Sequence, residues 1–277
     1  MMRRPLAFLA LMLLAAAAVA AQAPGQAEAP VDARTWIGRA AEIEEYMRSV
    51  RLLKLEDVPV GVTRPRKAQL PPGGPIAHVA WKVIPPGRSQ GYWESYESEI
   101  AAYELDKLLG LNMVPPTVEK RHAGDLGAAV MWVTPAKSFK EMGATVKTGV
   151  PAPPPALANA WTRQLVRAKM FHNLTNNLDP NLGNWLVDPA WNLILIDCSR
   201  CFTPGRNMPH ELTRVDPELW ERMTALTEPQ LMASLGKLMR RGAVRAILQR
   251  RDRMQEIVNA AIKTHGETHV FMRDVGR

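Results

Sequence analysis

The sequence predicts an α+β protein with two lobes: a strand-rich first half carrying one long helix, then a helix-rich second half carrying one small hairpin. Three observations lead there. Between Leu52 and Val83, the breaks Pro59, Gly61, Pro65, Pro71, Pro72, Gly73, Gly74 and Pro75 leave only short apolar stretches, as antiparallel strands and turns require. After the Pro-rich run Val150 to Pro155, apolar residues recur at helical spacing instead. Within that second half, Asn184-Trp185-Leu186-Val187 and Leu193-Ile194-Leu195-Ile196 flank Pro189 and read as two paired strands.

Each element follows from local pattern. From Thr35 to Val50, Trp36, Ala40, Ile43 and Met47 share one face of an amphipathic helix. Ala77 to Ile84 is a strand, ended by Pro85-Pro86-Gly87. Tyr96 to Leu109 switches to helical period; Ser95 can cap its start and Gly110 its end. Val114 to Val118 and Ala128 to Val133 are two more strands. Helices follow from Leu157 to about Leu174, around Leu231 to Met239, and from Val244 to Val258; the helices after Thr213 are expected to close the core of the second lobe. The lobes are drawn at 35–133 and 134–277.

The amino end reads as an export signal. Two arginines within Met1 to Arg4 precede the apolar run Leu6 to Ala21, and Ala18-Val19-Ala20 supplies small residues for cleavage. Residues 1–21 are therefore expected to be a signal peptide and 22–34 a disordered lead-in, with the mature protein periplasmic or secreted. Retention as an N-terminal anchor is the alternative, though the run is shorter than the ~20 residues of a spanning helix. No other stretch is apolar enough to span a membrane. The formal charge of +8 falls to +6 without Arg3 and Arg4. Its densest cluster, Arg240 to Arg253, lies in an apolar-periodic helix and reads as a solvated face. No helix-turn-helix, finger or aromatic-interleaved motif accompanies it, so no nucleic-acid partner is expected. Walker A, G-x-S-x-G and H-E-x-x-H segments do not occur.

Polar residues concentrate at the hairpin. Asp179-Pro180-Asn181-Leu182-Gly183-Asn184 precedes it, and Asp197 follows its second strand, 13 residues after Asn184. An Asp at the end of an apolar strand needs a partner, and hard Mg²⁺ or Mn²⁺ prefers carboxylate and amide oxygens. Kinase-type phosphoryl transfer uses a catalytic Asp, a metal-binding Asn and a second metal-binding Asp in this order. It also uses an earlier strand Lys held by a helix Glu. Lys82 ends Val79-Ala80-Trp81-Lys82, and Glu99 lies 17 residues on, in the next helix.

The segments Ser98 to Asp106, Leu109-Gly110, Val114 to Val118 and Asp197-Cys198-Ser199-Arg200-Cys201-Phe202 resemble the Golgi secretory kinases that phosphorylate casein-like proteins or proteoglycan xylose. The wider group includes HipA and the phosphatidylinositol 3/4-kinases. The resemblance covers about residues 52–205. It implies a two-lobed protein-kinase-like fold that binds ATP with Mg²⁺ or Mn²⁺. Lys82 would contact ATP phosphates and Glu99 would hold Lys82. Met131, Trp132 and Val133 would form the hinge against adenine. Asp179 would orient or deprotonate the acceptor hydroxyl of a protein, sugar or lipid, and Asn184 and Asp197 would hold the metal. The chain departs from the pattern in carrying Leu178 before the catalytic Asp, Cys198-Ser199 in place of Phe-Gly, and only Pro72-Gly73-Gly74-Pro75 where a Gly-rich phosphate loop would precede Lys82. A second reading is therefore a pseudokinase, the same fold serving as a binding module. A third is a redox protein built on Cys198-x-x-Cys201, the only cysteines in the chain, with a disulfide also open; His172 and His210 match no zinc spacing.

Overall fold

The alternation of side chains along the strands decides which helix covers which face of the main sheet. A computed structural model describes residues 31–58, 65–89, 91–145, 147–179 and 181–273; the expected signal peptide and the lead-in as far as residue 30 lie outside the described residues. Strands β1 (Leu55–Asp57), β2 (Arg66–Gln69), β3 (His78–Lys82), β6 (Thr117–His122) and β7 (Asp125–Met131) form an antiparallel sheet in the order β1-β2-β3-β7-β6. A two-stranded hairpin, β4 (Gly87–Ser89) and β5 (Tyr92–Glu94), stands apart from it. Val79, Trp81, Val118, Ala129 and Met131 turn to one face. There they pack on Ile43 and Met47 of helix α1 (Ala40–Ser49) and on Trp36. Their neighbours Ala80, Ala128 and Val130 turn to the other face, against Tyr96 and Ile100 of α2 (Tyr96–Leu109). Lys82, two residues from Ala80, is on the α2 face by the same alternation.

Helix α2 starts and stops as its sequence dictates. Ser95 Oγ accepts from the Glu97 N–H at 3.0 Å, and Gly110 takes the left-handed conformation, φ 56°. Beyond it, Asp106 accepts from the backbone N–H groups of Asn112, Met113 and Val114 at 3.0, 2.9 and 3.1 Å. This anchoring corrects the strand expected at Val114 to Val118. Residues 114–116 belong to a pinned loop, Pro115 and Pro116 have no N–H to give a ladder, and β6 begins only at Thr117. Helix α1 likewise starts at Ala40 rather than Thr35, with turns before it. The lead-in expected to be disordered through residue 34 is corrected at its end, since buried Ala33 donates its N–H to Asp188 Oδ2 at 2.9 Å and so belongs to the packed chain.

In the second half, β8 (Lys137–Ser138), β9 (Trp185–Val187) and β10 (Leu193–Leu195) form a small sheet, β9 and β10 being the expected hairpin. Around it lie α3 (Ala158–Thr175), α4 (Pro217–Thr224), α5 (Glu228–Leu235), α6 (Arg241–His265) and α7 (Glu267–Val270). Phe171, Leu174, Leu219, Leu231, Leu235, Val244, Ile247, Met254 and Val258 share one core, so the helices after Thr213 do close this half. Among the described residues no helix is long and apolar enough to cross a membrane.

The basic run on α6 is mostly engaged in local pairs. Arg241 and Arg245 meet Glu228, and Arg253 meets Glu256. Arg250 is different, because it is fully buried. It donates to the carbonyls of Leu174 (2.8 Å), Thr203 (3.3 Å) and Gly205 (3.1 Å). Lys120 behaves alike, donating Nζ to the carbonyls of Met47 and Arg48 at the end of α1. Each cation thus satisfies at least one carbonyl that a helix end leaves without a partner, Leu174 in the case of Arg250.

Asp106→Asn leaves at least one of three backbone donors, two of them in buried bonds, facing an amide N–H₂. Denaturant unfolding is expected to show a loss of about 1–3 kcal/mol. An unchanged midpoint with unchanged slope would mean that the loop after α2 does not depend on this carboxylate.

Candidate active site

The site is assembled where β3, α2 and the end of the β9–β10 hairpin meet. Lys82 Nζ lies 2.5 Å from Glu99 Oε1 and 2.8 Å from Asp197 Oδ1, with Lys82 and Glu99 buried. The strand register supplies the lysine. Glu99 sits one turn into α2 from the Ser95 cap and faces the sheet, while its Oε2 accepts the Cys198 N–H at 3.0 Å. Asp197 follows β10 in the left-handed conformation, φ 62°, which turns the chain sharply and sets its carboxylate against Lys82. The Ser199 hydroxyl also donates to Asp197 Oδ1, at 3.3 Å.

The electrostatics follow from burial and pairing. Burial alone would lower the Lys82 ammonium, but the carboxylates of Asp197 and Glu99 more than offset this and hold it above its usual range. Burial alone would raise Asp197, but Lys82 more than offsets it and the carboxyl stays below its usual range. For Glu99, fully enclosed, burial wins and raises it, Lys82 offsetting only part.

Asp179 and Asn184 come from the loop between α3 and β9. Helix α3 ends at Asn176, which is left-handed at φ 52°. Successive short turns then fold the loop. The Asp179 N–H donates to Asn177 Oδ1, the Asn181 N–H to Asp179 Oδ1 and the Gly183 N–H to Asn181 Oδ1, at 3.1, 3.0 and 2.9 Å. Asn184 Nδ2 donates to Asp179 Oδ2 at 3.4 Å, and the Asn184 carbonyl accepts the Ile196 N–H at 3.0 Å, next to Asp197. Thus Asp179, Asn184 and Asp197 are linked through one hairpin, and Lys82 and Glu99 close on Asp197 from the other half.

The remaining sequence candidates lie elsewhere. Met131 and Val133 turn their side chains into the α1 core, and Trp132 is half-buried with Lys67 Nζ 4.8 Å above its ring. Pro72-Gly73-Gly74-Pro75, considered in place of a phosphate loop, is the β2–β3 turn. Tyr46 of α1 donates its hydroxyl to Pro71 O, and a Cβ on Gly74 would overlap the Tyr46 ring at 2.0 Å. That glycine serves close packing against α1. The β1–β2 connection falls at 58–65, of which 59–64 lie outside the described residues.

The structure decides one open alternative and adds two features that the sequence does not show. Cys198 and Cys201 are joined as a disulfide. The β4–β5 hairpin places exposed Tyr92 and Trp93 in a recess with Leu178, Asp179, Arg200 and Thr203. Arg200 spans it, pairing with Glu94 at 2.6 Å and stacking 4.5 Å over the Tyr92 ring. Finally, His172 and His210, weighed only as zinc ligands, pair with each other, Nδ1 to Nε2 at 3.2 Å, beside Trp185. Burial, aided by the neighbouring imidazole, pushes His172 down to about 3, and burial also lowers His210.

No family model and no curated protein matches the chain. Solved structures do. A structure of hydra Fam20 with sugar superposes with a TM-score of 0.65 at 14% identity, covering 86% of this chain and 93% of that one. The Golgi casein kinase with Mn/ADP bound gives 0.62 at 12% identity over 84% and 78%. The Helicobacter pylori proinflammatory kinase CtkA gives 0.50 at 11% over 78% and 96%. The fold is therefore the two-lobed kinase-like fold of these structures, with its antiparallel sheet first and its helices second.

Removing one partner of a buried ion pair leaves the other charge stranded. Lys82→Met is expected to destabilise the protein by on the order of 3 kcal/mol, and adding Glu99→Gln should recover part of that loss. Strictly additive losses in the two variants would show that the pair carries no mutual stabilisation. His172 gives a second expectation. Its folded value lies below the usual 6.5, so its contribution is present above about pH 6.5 and is lost as pH falls from there toward about 3. Asp106, which burial pushes up to about 7 against its three N–H donors, works in the opposite direction. The test is therefore the difference in thermal midpoint between wild type and His172→Gln, followed from pH 7.5 to pH 5. It should shrink on acidification, and a constant difference counts against a neutral buried imidazole.

Proposed function

We infer that the protein is a phosphotransferase that moves the γ-phosphoryl group of ATP to a hydroxyl. The observation that carries this is the convergence of Lys82, Glu99 and Asp197 on one point, with Asp179 and Asn184 on the adjoining loop, in a fold shared with kinases. The Lys82 ammonium, held by Glu99, is the cation for the nucleotide phosphates. The main chain of Met131, Trp132 and Val133 meets the adenine, since the side chains of Met131 and Val133 are committed to the α1 core. Asp179 takes the proton of the acceptor hydroxyl as its oxygen attacks the γ-phosphorus, and the bond to the β–γ bridging oxygen breaks to release ADP. Asn184 steadies the Asp179 carboxylate through its amide N–H.

The donors suit Mg²⁺ or Mn²⁺. The Asp197 carboxylate and Asn184 amide offer hard oxygens, and among the described residues no group of three or more His, Cys, Asp or Glu gathers to cage a cation alone. Phosphate oxygens would complete such a shell. When bound, the cation offsets negative charge on the phosphates. The recess of Tyr92, Trp93, Leu178, Arg200 and Thr203 beside Asp179 is the place for the acceptor, whether a protein, sugar or lipid hydroxyl. The amino-terminal pattern and the disulfide both favour a periplasmic or secreted protein.

Thermal shift and calorimetry with ATP and Mn²⁺ or Mg²⁺ test this reading. At 100 times the dissociation constant, stabilisation should reach about 2.7 kcal/mol, and Asp197→Ala should abolish it. Asp179→Asn should keep the nucleotide and lose phosphoryl transfer by about 10²–10⁴-fold. No shift with either metal would remove the kinase reaction and leave the pseudokinase reading.

A further inference from the structure

Asp197 begins a tight ring. The chain turns left-handed at Asp197, runs through Cys198-Ser199-Arg200-Cys201, and turns left-handed again at Phe202, φ 62° at both ends. Neither end is glycine; Asp adopts this conformation more readily than most residues, but bulky Phe202 keeps it only where its surroundings hold it there. The surroundings are specific. The Cys198–Cys201 disulfide closes the ring, and the Cys201 N–H donates to the Cys198 carbonyl at 3.0 Å. On the α2 side, the Cys198 N–H donates to Glu99 Oε2, the Ser95 N–H donates to the Ser199 carbonyl at 3.0 Å, and Ser98 Oγ donates to the Cys201 carbonyl at 3.5 Å. On the α3 side, the Phe202 N–H donates to the Thr175 carbonyl at 2.7 Å. Glu99 therefore divides its two oxygens, one for Lys82 and one for the ring.

We propose that Cys198 and Cys201 are positioning residues: their disulfide sets Asp197 and Glu99 in the geometry that receives a divalent cation with nucleotide, and opening it disarms the site. This rests on the reading of Asp197 as a metal ligand. The ring has four residues, so closing it removes most alternative paths for the backbone between Asp197 and Phe202. Opening it is a two-electron reduction by a dithiol. A thiolate of the reductant attacks a ring sulfur, the S–S bond breaks, and the mixed disulfide is resolved by the second thiolate. Cys198 and Cys201 end as thiols and the reductant as a cyclic disulfide. Cys198 is the more exposed sulfur residue and Cys201 is fully buried, so attack falls at Cys198. The Cys198 N–H is then free to leave Glu99, and Glu99 and Asp197 lose their shared support. The consequence is a protein disarmed in a reducing compartment and armed in an oxidising one.

The test compares the full chain in oxidised form, the same protein reduced with dithiothreitol, and Cys198→Ser/Cys201→Ser. Two readouts are taken: amide hydrogen exchange across residues 197–202 without ligand, and calorimetric affinity for Mn²⁺ with ADP. Reduction and the double variant are expected to speed exchange and to weaken Mn²⁺–ADP by about 10–100-fold, the usual effect of removing support behind a metal ligand. Reoxidation should restore both. Equal exchange and equal affinity in the two redox states overturn the proposal. So does loss of far-UV circular dichroism on reduction, which would make the disulfide a staple of the whole fold. If the double variant does not fold, the reduced native protein carries the test. If the oxidised protein binds no Mn²⁺–ADP, the kinase reading fails, and exchange alone decides: faster on reduction supports the positioning role, unchanged overturns it.

Discussion

A single ammonium group, Nζ of Lys82, stands between the carboxylates of Glu99 and Asp197 at a place with little access to water. Three charges in such a place are stable only if each is held within hydrogen-bond reach of its partner, because a stranded buried ion is far more costly than a paired one. Much of the fold can be traced to that demand. The β3 register must turn Lys82 toward α2, so Val79 and Trp81 turn the other way and require α1 to cover them. Helix α2 must begin at Ser95 for Glu99 to face the lysine. The far end of α2 is fixed by Asp106, whose loop accepts the N–H of Leu195, two residues before Asp197, at the Met113 carbonyl, 2.9 Å. Both carboxylates thus reach Lys82 from ends of the same scaffold.

Buried cations with no carboxylate partner among the described residues follow another rule. Lys120 and Arg250 are each placed against the carbonyls at a helix end, where the aligned peptide dipoles leave partial negative charge. In the first case the helix is α1, which covers the back of the sheet. In the second it is α3, whose last turn leads into the loop of Asp179. Burial lowers Arg250 to about 10, and one of its nitrogens, Nη2, has no hydrogen-bond partner among the described residues. The arrangement is therefore a cap made from the distance of a whole helix, joining α6 to the end of α3 and to residues 203 and 205 beyond the disulfide.

How much of this was legible in the sequence depended on how local the cause was. Helix α2 was readable because Ser95 and Gly110 mark its ends within the segment itself, and the hairpin was readable from two apolar runs around Pro189. The Lys82, Glu99, Asp179, Asn184 and Asp197 set could be named from order and spacing, and the structure brings Lys82, Glu99 and Asp197 into contact and joins Asp179 to Asn184. What was not legible depended on distant partners. Asp106 removes residues 114–116 from a strand that their composition suggests, through three bonds that no periodicity records. The sequence shows Gly74 only as part of a poor substitute for a phosphate loop; its use in close packing depends on Tyr46, 28 positions earlier. Arg250 sits in a run of arginines that reads as solvated, and only its facing of Leu174 shows that it is interior. The His172–His210 pair crosses 38 residues and leaves no motif.

The buried guanidinium also ties the length of α6 to the site. An α-helix turns about 100° per residue, so loss or gain of one residue between Val244 and Arg250 would swing the side chain from the core to the surface. It would also carry Met254 and Val258 out of their packing. Loss of a whole turn, by contrast, would return a side chain to nearly the same face. Along this stretch the packing therefore accommodates substitutions, and insertions or deletions of about a helical turn, far better than a shift of one residue. A helix with no residue in the cleft thereby inherits the reading frame of the cleft's geometry.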